Sequence, residues 1–151
     1  MSDLQEVARI LADARWIVAL TGAGISVDSG IPDFRSPGGL WDRFDPMEYA
    51  TIDAFLENPG KVWTMLKEMN ALIDSAKPNP GHTALAELEK MGLLKAIITQ
   101  NIDNLHQEAG SRDVIEFHGK GNPLVCLRCG SRSRLPEVAT RQERGGRVAP
   151  A

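Results

Sequence analysis

The fold is decided by the stretch from Trp16 to Arg35, which reads WIVALTGAGISVDSGIPDFR. It opens with five apolar residues, a short run that is typical of a buried parallel strand. Gly22 and Gly24 follow at once, and because glycine has no Cβ they allow a sharp turn and the close approach of a ligand phosphate. We expect Ser26 or Ser29 to cap a helix whose free N–H groups face that phosphate. The stretch therefore predicts the parts of a dinucleotide site.

This glycine motif departs from the usual dinucleotide fingerprint. A third glycine would stand three residues after Gly24, where the chain has Val27, and the next glycine is Gly30. A bare G-x-G after a strand also occurs in ordinary tight turns. The motif alone therefore leaves both interpretations open.

The rest of the chain alternates between predicted helices and strands. We predict a helix over 3–14 that packs on the sheet through one apolar face, and a helix over 82–91 that ends at Gly92. Apolar runs at 94–99 and 114–117 predict two further strands. Strands joined by helical crossovers favour an α/β fold with a parallel, Rossmann-like sheet. The expected core faces are Leu4, Val7, Ala8, Leu11 and Ala14 in the first helix, and Ala84, Leu85, Leu88 and Met91 in the second.

A helical insertion is expected between the first two strands. Prolines and glycines between Pro32 and Tyr49 forbid a long regular element, and a loop in this place could fold over a ligand. Thr51 is expected to cap a short helix that ends near Asn58. Asn58, followed by a proline, should begin a second helix. Its predicted core face consists of Val62, Leu66, Met69 and Ile73.

Polar residues follow each of the three predicted strands. These are Thr21 to Gly24, Gln100 to Asp103, and His118 with Gly119. In an open parallel sheet the ligand lies beyond the carboxyl ends of the strands. Amides, a carboxylate and an imidazole should therefore converge near the glycine turn.

His118 is the candidate general base, because a neutral imidazole can take up a proton and return it near neutral pH. The alternative is a histidine that only caps the end of a strand. His82 and His106 lie within predicted helices, and we expect structural roles for them.

Asn101 and Asp103 suit the recognition of a carboxamide, since an amide and a carboxylate offer complementary donors and acceptors. Asp103 could equally cap the short helix that follows it. Asp33 and Arg35 could pair and order the loop, and Arg35 could also neutralise a phosphate.

Composition excludes several classes of protein. The chain has 151 residues, with 17 basic and 20 acidic side chains and a net charge of −3, which gives no signature of polyanion binding. Its basic end has no aromatic residue on which bases could stack, so we expect no nucleic-acid partner. No apolar run approaches the length of a membrane helix, and the first residues do not resemble a signal peptide. We therefore expect a cytoplasmic protein without a membrane partner.

The motifs GAGIS, SGIPDFR, TQNID-x-LH and a strand-terminal HG occur in this order, and together they resemble the sirtuins. Sirtuins are NAD-dependent protein-lysine deacylases, and the likeness runs from the first strand to Cys129. The resemblance implies NAD as cofactor and an acyl-lysine protein or peptide as substrate. The reaction it implies moves the acyl group from lysine to ADP-ribose and releases nicotinamide.

The resemblance also implies roles for individual residues. His118 matches the catalytic base, and Asn101 lies with it among the residues around the reacting ribose. The residues that match the cofactor site are Gly22, Ala23 and Gly24 of the phosphate turn, Asp33, Phe34 and Arg35 of the cofactor loop, and Gln100, Asn101, Ile102, Asp103 and His118. Relatives that remove succinyl or malonyl groups carry Tyr and Arg at the positions of Leu66 and Met69. An uncharged acyl group is therefore implied here.

The only two cysteines, Cys126 and Cys129, form a C-x-x-C pair. In a reducing compartment this spacing indicates metal or redox chemistry before a structural disulfide. The pair resembles the first half of the sirtuin zinc site. Structural zinc requires four protein ligands, so two cysteines make an incomplete site.

The sequence therefore predicts three regions. These are an incomplete Rossmann-like NAD-binding domain (1–30 and 78–120), a cofactor loop with a helical insertion (31–77), and a partial zinc-binding module (121–151). The family continues beyond this length, so two alternatives stay open: an inactive NAD-binding or interaction fragment, and an NAD-dependent ADP-ribosyltransferase. We expect the isolated chain to expose a sheet edge and to oligomerise or aggregate.

Overall fold

The computed structural model describes residues 3–121 and 123–134. Its centre is a three-stranded parallel sheet made of β1 (Ile17–Thr21), β2 (Leu94–Thr99) and β3 (Val114–Glu116). β2 lies in the middle, and its residues pair with β1 on one side and β3 on the other. The parallel Rossmann-like sheet and its three predicted strands are confirmed.

Helices and a small hairpin surround the sheet. The α-helices are α1 (Asp3–Asp13), α2 (Pro46–Tyr49), α3 (Ile52–Glu57), α4 (Pro59–Ser75), α5 (Pro80–Lys90) and α6 (Leu105–Glu108). Two 3₁₀ segments cover Ala23–Ser29 and Leu40–Asp42, and the antiparallel hairpin pairs β4 (Leu124–Val125) with β5 (Arg132–Ser133). Among the described residues, no helix has the length and apolar character needed to cross a lipid bilayer.

The segment after β1 differs from the expected α-helix. It is a 3₁₀ segment that begins directly after Gly22, and no side chain caps its first turn. Ser26 and Ser29 lie inside the segment, so the prediction that one of them is its N-cap is wrong. Gly22 itself is extended, and it is Gly30 at the far end that takes a positive φ of 89°. The reason is that the turn tightens at once into i→i+3 bonds, such as that from Ile25 N–H to Gly22 O.

The first helix forms where the sequence predicts it, but it is not packed on the sheet. None of its residues is buried, and Leu4 is 81% exposed. The outer face of β1 is open as well, with Leu20 71% exposed, so the prediction that β1 is a buried strand is also wrong. Within the described residues, no element covers these two apolar surfaces. Amphipathic periodicity shows which face of a helix needs a partner, but it does not show whether this chain supplies one.

The helical insertion follows its predicted capping. Thr51 Oγ1 accepts a hydrogen bond from Ala54 N–H at the start of α3. Asn58 Oδ1 accepts a hydrogen bond from Lys61 N–H at the start of α4. In α4 the buried residues are Val62 and Met65, so the apolar face includes a methionine that the predicted core face omits.

The face of α5 that packs inward is centred on a histidine. Asn79 caps this helix in a capping box with His82, and the helix therefore begins at Pro80, two residues earlier than predicted. His82 and Ala86 are buried, whereas Met91 is 68% exposed and Ala84 is exposed as well. The predicted core face is wrong at those two positions because an apolar pattern cannot identify an inward-facing histidine.

Candidate active site

A cavity of about 600 Å³ lies beyond the carboxyl ends of the parallel strands. All three polar clusters that follow the strands contribute to its wall, as the topology predicts. The lining consists of Ala23, Ser26, Ile31, Pro32, Asp33, Phe34, Arg35, Leu40, Trp41, Met69, Leu72, Ile73, Gln100, Asn101, Ile102, Asp103 and His118. Most of the predicted site residues therefore share one cavity, with Gly22 and Gly24 in the adjoining turn.

The glycine turn is held by side chains from the loop after β2. Asn101 Nδ2 donates to Gly22 O and to Ser26 Oγ, each at 3.1 Å. Ser26, only 1% exposed, donates in turn to Asp103 Oδ2 at 2.6 Å. Asn101 thus holds the glycine turn directly, and Asp103 supports it through Ser26.

Asp103 also contacts the start of the short helix α6, where its Oδ1 accepts the backbone N–H of Leu105 at 3.0 Å. The N-cap of α6 is Asn104, whose side chain makes no capping bond, so the alternative that Asp103 is the N-cap is wrong by one residue. The residue that follows, Asn104, takes a positive φ of 65°, a conformation that asparagine tolerates better than most residues. Both oxygens of Asp103 are therefore engaged in holding the loop after β2.

His118 is exposed and lines the cavity two residues after the end of β3. Its Nδ1 is 3.1 Å from the backbone oxygen of Gln100. A carbonyl oxygen can only accept, so this bond places the imidazole proton on Nδ1. In the neutral ring Nε2 then carries the lone pair, which is the arrangement that a general base requires.

The loop from Asp33 to Trp41 is ordered by its own contacts. Asp33 accepts from both the backbone and the hydroxyl of Ser36, and the Ser36 hydroxyl bond is the main reason why the pKa of this carboxyl is lowered. Leu40 N–H donates to Asp33 O, and the rings of Phe34 and Trp41 lie 5.1 Å apart. The predicted pairing of Asp33 with Arg35 is wrong, because the serine three residues ahead occupies both oxygens of the carboxylate.

The backbone at the turn fits a ligand that approaches closely. A Cβ at Gly24 would meet no atom of the described residues within 4 Å, and neither Gly22 nor Gly24 has a positive φ. Neither packing nor backbone conformation therefore requires glycine at position 24. Space left open at the backbone suits an approaching phosphate, and Arg35 in the adjoining cavity supplies a positive charge.

The two cysteines lie in the β4–β5 hairpin. Cys126 N–H donates to Ser131 O, and Gly130 N–H donates to Cys126 O, each at 2.8 Å. Cys129 Sγ lies 3.2 Å from Ser131 Oγ, and this hydroxyl is the main reason why the pKa of the Cys129 thiol is lowered. Residues 3–121 and 123–134 contain no cluster of three or more metal-ligating side chains. The hairpin can therefore offer zinc two ligands, while the rest of the predicted module, Asn122 and 135–151, lies outside the described residues.

Sequence reasoning missed several residues that hold the site. Ser26 was expected at a helix cap, yet it connects Asn101 to Asp103. Thr21 Oγ1 contacts His106 Nε2 at 2.9 Å. The sequence did contain a signal for these residues: a polar side chain at a position that should be buried usually has a hydrogen-bond partner.

Comparison with known proteins identifies the family. The Sir2 family model matches residues 22–148, which is most of the chain. The chain therefore belongs to the Sir2 family, and the sirtuin resemblance of its motifs is confirmed.

The names of the similar proteins describe an NAD-dependent deacylase or deacetylase. The chain is 50% identical over 134 residues to an NAD-dependent protein deacylase of Thermococcus sibiricus, covering 89% of this chain and 52% of the relative. It is 47% identical over 148 residues to NAD-dependent protein deacetylase 1 of Pyrobaculum aerophilum, covering 98% of this chain and 58% of the relative. The chain thus spans about half the length of the curated relatives it matches.

Solved structures of the same family superpose well on this fold. A Sir2 homologue in complex with NAD is 44% identical with a TM-score of 0.78, covering 87% of this chain and 51% of that one. A Sir2 complex with deacetylated p53 peptide and 3′-O-acetyl-ADP-ribose is 40% identical with a TM-score of 0.88, covering 99% of this chain and 58% of that one. The α/β fold is therefore that of Sir2 proteins.

Proposed function

We propose that this chain forms the NAD-binding part of a protein-lysine deacylase of Sir2 type, which transfers the acyl group from lysine to ADP-ribose and releases nicotinamide. The observation that carries the proposal is the convergence of the glycine turn, Asn101 and His118 on one cavity at the carboxyl ends of the strands. Membership of the family and the names of its relatives support the same activity.

The residues of the cavity suit distinct tasks in this reaction. The open backbone at Gly24 and the positive charge of Arg35, which lines the adjoining cavity, suit the phosphates of the dinucleotide. When bound, NAD would supply the ribose carbon whose bond to nicotinamide is broken. His118 Nε2 can take a proton from a hydroxyl in the cavity, because Nδ1 is already committed to Gln100 O. Asn101 holds the turn through Gly22 O and Ser26 Oγ, and so serves the site by positioning.

The acyl group is proposed to be uncharged. A second cavity of about 400 Å³ shares Phe34, Trp41 and Met69 with the first, and Leu66 lines it as well. Among the described residues, none that lines this second cavity carries a charge. An acyl carboxylate buried there would lose its hydration without gaining a charge partner, which is costly. Acetyl and other neutral acyl groups fit these surroundings.

Zinc is proposed as a structural ion at the cysteine hairpin. Cys126 and Cys129 would provide two thiolates, and two further ligands are needed to close a tetrahedral site. In this role zinc would stabilise the hairpin and take no part in the reaction.

The test joins these 151 residues to the C-terminal half of the Thermococcus sibiricus relative, because the chain spans about half of that protein. We expect the chimaera to release nicotinamide and deacetylate an acetyl-lysine peptide only when NAD is present. His118→Ala in the same chimaera should lower the rate by about 10²- to 10⁴-fold while NAD still binds. A folded chimaera that binds NAD but shows equal turnover with and without His118 would contradict the proposed mechanism.

A further inference from the structure

Two buried histidines lie side by side next to the end of β1. His82 on α5 and His106 on α6 are 0% and 1% exposed, and their ring centroids are 4.9 Å apart. One nitrogen of each ring has a partner: Asn79 N–H donates to His82 Nδ1 at 3.3 Å, and His106 Nε2 lies 2.9 Å from Thr21 Oγ1. The other two nitrogens, His82 Nε2 and His106 Nδ1, are buried without a hydrogen-bond partner within the described residues.

The chemistry of these contacts makes the two unpaired nitrogens complementary. A backbone N–H can only donate, so His82 Nδ1 is unprotonated and the neutral ring carries its proton on Nε2. If His106 Nε2 donates to Thr21 Oγ1, His106 Nδ1 is left as an acceptor. An unpaired donor then stands beside an unpaired acceptor.

The separation of the rings suits a bond between them. An N–H···N bond of about 3 Å, extended by about 1.1 Å to the centre of each ring, places two imidazole centroids about 5 Å apart. The observed separation is 4.9 Å at an interplanar angle of 59°. Neither nitrogen has a hydrogen-bond partner among the described residues as the rings stand, so pairing them requires the rings to reorient at this separation.

The two ends of this arrangement flank the glycine turn. Thr21 is the residue before Gly22. At the other end, the Asn79 side chain donates to Ile25 O at 2.7 Å and to Ser29 Oγ at 3.0 Å, both in the 3₁₀ segment that follows the turn. A bond between the histidines would therefore tie the two flanks of the turn together through the interior.

We propose that His82 and His106 are positioning residues joined by an Nε2–H···Nδ1 hydrogen bond, in a chain that runs from Asn79 N–H to Thr21 Oγ1 and holds the glycine turn in its ligand-binding position. The role of the chain in NAD binding rests on the function proposed above. The hydrogen-bonded chain itself does not depend on that function.

Protonation would break this chain, because a second proton on either ring removes the only acceptor that the ring offers. Burial lowers the pKa of His82, and burial followed by the proximity of His82 lowers the pKa of His106. Asp103 is the carboxylate that acts on both rings, and it opposes the shift. Thr21 on β1 and Asn79 before α5 carry no charge. The pair therefore stays neutral at neutral pH, and the turn should loosen on acidification.

The first test reads the position of each imidazole proton. The chain has three histidines, so long-range ¹H–¹⁵N spectra of the whole chain at pH 7.5 can be assigned with single variants. We expect the Nε2–H tautomer for both His82 and His106. A proton on Nδ1 of either ring would overturn the proposal.

The second test measures how firmly the turn is held. Ile25 N–H donates to Gly22 O within the turn, so its hydrogen-exchange protection factor reports the turn without any ligand. His106→Asn keeps a hydrogen-bond acceptor for His82, but its shorter side chain cannot reach Thr21. His106→Gln reaches Thr21 but offers His82 no acceptor. Each should lower the protection of Ile25 and the affinity for NAD by about tenfold, the effect of one lost buried hydrogen bond. Gln107→Ala, on the same helix but bonded to Glu116, is the control and should change neither.

Acidification separates this role from simple packing. The protection factor of Ile25 in the parent chain should fall between pH 7.5 and 5.5. In the double variant His82→Gln/His106→Gln it should be low at both pH values and no longer change. A parent protection factor that is constant over this range overturns the proposal even if the variants fail to fold. If the parent chain does not bind NAD, this result counts against the proposed function. The tautomers of the two histidines and the protection of Ile25 still test whether the hydrogen bond between the histidines exists.

Discussion

Removal of the Asn79 side chain should destabilise the protein far more than removal of an equivalent cap elsewhere. Asn79 is 8% exposed and immediately precedes α5, which begins with a proline. Its Oδ1 accepts hydrogen bonds from Gly81 N–H and His82 N–H. Its Nδ2 also donates to Ile25 O and Ser29 Oγ across the core. Asn79→Ala therefore removes a helix cap and two tertiary hydrogen bonds.

The magnitude follows from these contacts. Loss of an asparagine cap costs about 1 kcal/mol of unfolding free energy. Each lost hydrogen bond in a buried setting adds about 1 kcal/mol. We therefore expect Asn79→Ala to lower the free energy of unfolding by about 3 kcal/mol, since one cap and two bonds are lost.

The chain contains a matched control for this prediction. Asn58 also precedes a proline at the start of a helix, and its Oδ1 accepts only from Lys61 N–H among the hydrogen bonds found in the described residues. Asn58→Ala should cost about 1 kcal/mol, the value of the cap alone. The difference of about 2 kcal/mol between the two variants then measures the tertiary bonds of Asn79.

Urea unfolding followed by far-ultraviolet circular dichroism provides the assay, at low micromolar concentration where association is least. With a slope of about 2 kcal/mol per molar urea, the midpoint should move by about 1.5 M for Asn79→Ala and about 0.5 M for Asn58→Ala. Equal losses in the two variants would refute the reasoning, because they would show that the contacts of Asn79 to the 3₁₀ segment contribute nothing.

Three further predictions concern the substrate, pH and association. The chimaera described above should deacylate acetyl-lysine peptides faster than succinyl-lysine peptides, and a preference for succinyl would contradict the role given to Leu66 and Met69. Burial lowers the folded-state pKa of His82 and His106 below the unfolded value of about 6.5. Below a pH of about 6.5 the unfolded state then binds more protons than the folded state. The free energy of unfolding should therefore be constant above this pH and fall below it. A urea midpoint that is the same at pH 7.5 and at pH 5 would refute this prediction. The open faces of α1 and β1 should make the isolated chain associate in light scattering, and Leu4→Lys should reduce that association; a strictly monomeric parent chain would count against it.

Local signals predicted the framework of the fold well. The three strands and the caps at Thr51 and Asn58 depend on residues close in sequence, the parallel sheet follows from the alternation of strands and helices, and each is confirmed. The failures at α1 and α5 occurred because long-range packing decides the outcome there. α1 has the predicted amphipathic pattern, but no described element covers it. α5 turns His82 inward against His106 of α6, a contact that the periodicity of α5 does not reveal.

The candidate site was predictable in place but not in its internal bonding. Topology alone brings the ends of three strands to one edge, which is why Asn101 and His118 share a cavity with the glycine turn. The bond from Ser26 to Asp103 joins residues 77 positions apart, and the sequence gives no distance between them. Asp33 shows a different limit, because Arg35 and Ser36 both lie close to it in sequence and the pattern does not show which of them the carboxylate contacts; in the structure Ser36 donates to both oxygens.

Titration of NAD into the ¹⁵N-labelled chain tests the central claim most directly, because it locates the ligand whether or not the reaction proceeds. We predict that the largest amide shifts fall at Gly22 to Gly24, Asn101 and His118, and that Arg35→Ala weakens the interaction while Arg112→Ala, whose backbone N–H bonds to Glu89 away from the cavity, does not. No shifts at millimolar NAD, or shifts centred away from the carboxyl ends of the strands, would contradict the assignment of this cavity as the NAD site.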